Sequence, residues 1–66
     1  MDRETLDHSR LTLGARVVIQ GFDDIPEHVF LIDEVHEDCI CGFAITGPLA
    51  GEYGEPETQM ILRIID

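Results

Sequence analysis

A mainly-β fold, a small barrel of four to five short antiparallel strands, is what this sequence predicts, and three observations predict it. Segments 15–20, 28–35, 39–46 and 58–65 are short, apolar and rich in β-branched residues, as half-buried strands are. Clusters of glycine, proline and acidic residues punctuate them at the places where the chain has to turn. No segment after Leu11 carries a 3.6-residue apolar period long enough to make a helix that could cover a sheet, so closing the sheet on itself is the economical way to hide its edges.

Taken in order, residues 1–10 are polar apart from Met1 and Leu6, and read as a flexible N-terminal arm preceding a single domain of residues 11–66. Leu11 and Leu13 lead through Gly14 into a first strand at 15–20. Residues 21–27 form a loop whose Asp pair and Pro26 hang between two apolar anchors, Phe22 and Ile25. The second strand, 28–35, begins as a continuous apolar run and then alternates, the pattern of a long strand that leaves the core and bends. His36, Glu37 and Asp38 make a turn. In the third strand, 39–46, the period of two puts Cys39, Cys41, Phe43 and Ile45 on one face and the smaller Gly42 and Ala44 with Ile40 on the other. A long loop, 47–57, precedes a last strand at 58–65, whole or broken in two.

This order of parts, a Leu-x-Leu-Gly lead-in, a first strand, a long loop, a hairpin through residues 36–38, an irregular loop and a last strand, resembles SH3-like small barrels. The resemblance spans residues 11–65 and concerns architecture. It implies no ligand, because the four aromatic residues are not arranged in the aromatic motif of the SH3 signalling domains.

Charge excludes several classes of partner. Fourteen Asp and Glu against four Arg and no Lys give a formal charge of −10. Arg3, Arg10, Arg16 and Arg63 are too scattered to form the basic face that nucleic acid or an anionic membrane requires, so neither is expected; the excess carboxylate reads first as a solubilising surface, and as the sharper alternative a face for a basic protein partner. With no apolar run near the roughly 18 residues of a membrane span and no secretory signal pattern at the start, a cytoplasmic protein is expected, as a monomer or homodimer.

No catalytic motif is present, and no cofactor is implied; the one serine, Ser9, lies in the arm. Histidines beside carboxylates read as exposed titrating groups. The functional expectation is therefore a non-catalytic protein-interaction module. Its binding surface is expected on the long loop, where Tyr53 offers an amphipathic ring, Glu52, Glu55 and Glu57 surround it with charge, and Pro48 and Leu49 restrain and anchor the chain.

The alternative is a small metal-handling or thiol-redox protein built on His36, Cys39 and Cys41, whose imidazole and thiols suit zinc or copper. On a regular strand His36 falls on the opposite face from both cysteines unless a β-bulge intervenes. The cysteines are accordingly expected to be reduced, small core hydrophobes.

Overall fold

A computed structural model describes residues 11–65. The expected arm lies outside the described residues. Five antiparallel strands form one sheet: β1 (Arg16–Ile19), β2 (His28–Val35), β3 (Ile40–Ala44), β4 (Tyr53–Gly54) and β5 (Ile61–Ile64), in the spatial order β4-β3-β2-β1-β5. A single 3-10 turn, Thr58–Met60, stands between β4 and β5. The mainly-β expectation holds. Full closure does not: β4 and β5 are the two edges of the sheet and do not pair with each other.

β4 is two residues long and the chain leaves it at once, and a few backbone bonds then hold the segment leading toward β5 against the start of β3. The Ile40 amide donates to the Pro56 carbonyl (3.0 Å), the Thr58 amide donates to Asp38 (3.0 Å), and Cys39 forms an isolated bridge with Glu57. The third strand is therefore shorter than its apolar run, and the last begins three residues late, where the 3-10 turn ends. No helix among the described residues is long and apolar enough to cross a membrane.

The hydrophobic pattern explains the sheet's inner face. Val17 and Ile19 of β1, Phe30 and Ile32 of β2, Ile40 and Ala44 of β3, and Ile61 of β5 meet in one core, closed at the β1 end by Leu11 and Ala15. Leu49, Met60 and Ile64 pack against it from the periphery. The alternation 30, 32 against 40, 42, 44 is what the period of two requires.

One irregularity sets the rest. In the β2–β3 ladder Ile32 pairs with Gly42, but the next pair is Glu34 with Cys41, so β2 carries one extra residue there. This β-bulge reverses the facing of everything beyond it on β2, and paired residues then share a face. Glu34 is turned to the outer face, beside Cys41. Gly42 sits at the bulge because nothing larger fits: a Cβ there would fall inside the Leu31 carbonyl oxygen and press on the Phe30 ring at 3.0 Å.

Candidate functional site

Where the sheet fails to close, a cleft of about 490 Å³ opens onto the core. Its floor is Ile19, Phe30, Ala44 and Met60, its flanks are Phe22, His28 and Leu49, and residues 52–56 form one wall. That wall comes from the segment expected to be a long irregular loop, part of which is a strand. The Gly51 amide donates to the Ala44 carbonyl (2.7 Å) and the Ala44 amide donates to Glu52 (3.1 Å), so the chain is drawn back alongside β3 as β4. Gly51 makes that return possible at φ +89°, a conformation that side chains with a Cβ resist.

Of the residues expected to bind a partner, the fold brings Leu49, Glu52, Tyr53 and Glu55 together on the cleft. Pro48 is exposed and does not line it. Glu57 faces a separate depression with Asp38, Cys39, Thr58 and Gln59, where it accepts a hydrogen bond from Gln59 Nε2 at 2.7 Å.

Tyr53 is about half exposed (54%), and its ring packs edge-on against Phe43 with centroids 5.5 Å apart. Its hydroxyl donates to Glu55 Oε2 at 3.2 Å. The phenol's pKa is pushed well above its ordinary value, first by a hydrogen bond with Cys41, then by desolvation and the Cys41 and Glu55 charges.

His28 departs from the expectation of an exposed titrating group. It is 5% exposed, at the edge of Phe22 (centroids 6.3 Å) and on the cleft. Nδ1 lies 2.9 Å from the Pro26 carbonyl, which can only accept, so Nδ1 carries a proton and donates it there.

A second constellation lies on the outer face. Because of the bulge, Glu34 and His36 stand over Cys41, and one donor atom from each lies within 4.8 Å of the other two. His36 Nε2 and Glu34 Oε1 are 3.0 Å apart. The structure thus joins His36 to Cys41 and adds Glu34, which sequence reasoning missed; Cys39 is beside Cys41 but outside this triad.

Cys41 is buried, as expected, but on the outer face, apart from the core cluster, and Cys39 is only half-buried. Both are free thiols. Desolvation raises the Cys39 pKa, with further contributions from Cys41, Asp38 and Glu55. Less of it is thiolate at neutral pH, and thiolate is the reactive form. In the metal-free folded protein, iodoacetamide should modify Cys39 before Cys41, yet more slowly than it modifies Cys39 in urea; peptide mapping of a quenched time course reads both rates. Equal, fast labelling of the two thiols would contradict this placement.

Comparison with protein-family models, with curated proteins and with solved structures finds no match to this chain.

Proposed function

We propose that this domain is a non-catalytic interaction module that captures a basic segment of a partner protein by taking one apolar side chain of that segment into the cleft. The observation that carries the reading is the cleft's composition: an apolar floor of Ile19, Phe30 and Met60 under a rim of Glu52, Tyr53 and Glu55. Binding sites of this kind join a hydrophobic base to a few polar groups that fix orientation.

The rim's charge repeats that of the whole chain at −10, which favours a basic partner and disfavours nucleic acid. The strand order and the 3-10 turn before β5 support an SH3-like, incompletely closed barrel as the scaffold.

The test uses peptides in which one Leu or Phe is flanked by Arg or Lys, titrated into ¹⁵N-labelled protein. Amide shifts are expected at Leu49, Glu52, Tyr53 and Gly54. Tyr53→Ala should weaken binding about tenfold or more, the scale of an aromatic hot spot. The double change Glu52→Gln with Glu55→Gln should flatten the salt dependence of association, while Glu57→Gln, off the cleft, should leave it unchanged. Shifts confined to other surfaces, or full affinity in folded Tyr53→Ala, would refute the reading.

A further inference from the structure

We infer that Glu34, His36 and Cys41 form a binding site for one zinc ion, on the outer face of the sheet and separate from the cleft. Three donors of three different kinds already converge. A carboxylate oxygen, an imidazole nitrogen and a thiol sulfur lie within 4.8 Å of one another. Zinc bonds of about 2.0–2.3 Å in a tetrahedron place donors roughly 3.4 Å apart. The His36 and Glu34 atoms, at 3.0 Å, are close to that spacing and need only separate slightly. Contraction onto the sulfur needs only rotation of two side chains that are 51% and 62% exposed.

The scaffold holds the donors with little freedom. Glu34 and Cys41 are direct partners across the β2–β3 ladder. His36 follows at the turn, where its amide donates to the Cys39 carbonyl at 2.9 Å and closes the hairpin. The bulge between Ile32 and Glu34 is what points Glu34 at Cys41; without it the carboxylate would face the core. An unoccupied fourth coordination position would face solvent above the two exposed side chains.

Donor chemistry selects the metal. Calcium and magnesium take all-oxygen shells, whereas thiolate with imidazole suits zinc. Binding takes the His36 ring through Nε2 in its neutral form, with Nδ1 carrying its one proton, and takes the Cys41 sulfur as thiolate, with release of the thiol proton to solvent.

The experiment titrates the reduced full chain with Co²⁺ and then Zn²⁺. We expect one cobalt ion per chain with a thiolate-to-cobalt charge-transfer band, displacement by zinc, and no displacement by excess Ca²⁺ or Mg²⁺. Glu34→Gln, His36→Gln and Cys41→Ser should each weaken binding at least about tenfold, the scale reached even by loss of groups behind metal ligands. Cys39→Ser and Glu37→Gln should hold affinity within about threefold of the parent. Because Cys41 is buried, its variant is checked by circular dichroism; the two exposed positions carry the test if it misfolds. Cobalt binding without the thiolate band, or affinity unmoved in both Glu34→Gln and His36→Gln, would overturn the site, as would affinity that follows Cys39 instead.

Discussion

Gly42→Ala should be the most damaging single-methyl change in the protein, costing about 3 kcal/mol or more. The added carbon would fall inside the Leu31 carbonyl oxygen and against the Phe30 ring. The first obstacle is backbone, pinned in the β2–β3 ladder at the bulge, so it cannot yield as a flexible side chain can. Overpacking usually costs about 1–3 kcal/mol and more where the neighbour is rigid. A 66-residue domain has roughly 3–10 kcal/mol in total at about 0.05–0.15 per residue. The variant should therefore lose about 12 °C or more of melting temperature, at roughly 4–8 °C per kcal/mol. Gly51→Ala is the comparison: nothing lies within 4 Å of its Cβ, and only its φ of +89° is strained, at about 1–2 kcal/mol. A Gly42→Ala protein that melts within a few degrees of the parent would show that the β2–β3 register differs from the one described.

Phe30→Ala should cost about 3–5 kcal/mol, the range for truncating a buried phenylalanine. The ring is 3% exposed and has a structural task on both sides: Cε2 lies against the Gly42 position and Cε1 is 3.7 Å from that of Gly54. It fills the space that two glycines on neighbouring strands leave empty, and it floors the cleft. Truncation removes apolar contact and leaves a void that the paired strands cannot collapse into. Urea unfolding should show a lower midpoint with an unchanged slope. Phe30→Leu should recover part of the loss. A cost under about 1 kcal/mol for the alanine variant would place the ring outside the core.

Much of the architecture was legible because it depends on local pattern. β1 and β2 appear almost where the β-branched runs put them, and the division of β3 into a core face with Ile40, Gly42 and Ala44 and an outer face with Cys41 and Phe43 follows from the period of two. What escaped depends on pairing between distant segments. β4 is only Tyr53 and Gly54, too short to carry a period, and exists because residues 51–54 are tied to Ala44 and β3. His28 looked like a surface histidine beside acids; its burial comes from Phe22 and from the packing of Gly47 over its Cβ. The cleft's floor, Ile19 and Met60 among it, belongs to strands and turns whose partners only the fold reveals. The bulge did leave a trace: an isolated glycine within a strand, Gly42, marks a bulge or a close approach, and here it marks both. That trace would have pointed to Glu34 as the third member of the outer cluster.

The pairing of β1 with β5 sets the timing of folding. Val17 lies opposite Ile64, 47 positions later in the chain (64 − 17), whereas β2 and β3 are joined by a turn around residues 37 and 38. Closing a short hairpin takes microseconds, but long-range pairings dominate the rate at which such a topology is completed. The β2–β3 hairpin, and with it Glu34, His36 and Cys41, depends on local contacts and forms before β5 docks. Until β5 arrives, β1 has an open edge and the core lacks Ile61. Replacing residues 61–64 with Gly and Ser would therefore damage this fold far more than their number implies, leaving a hairpin that can form but a core that cannot close.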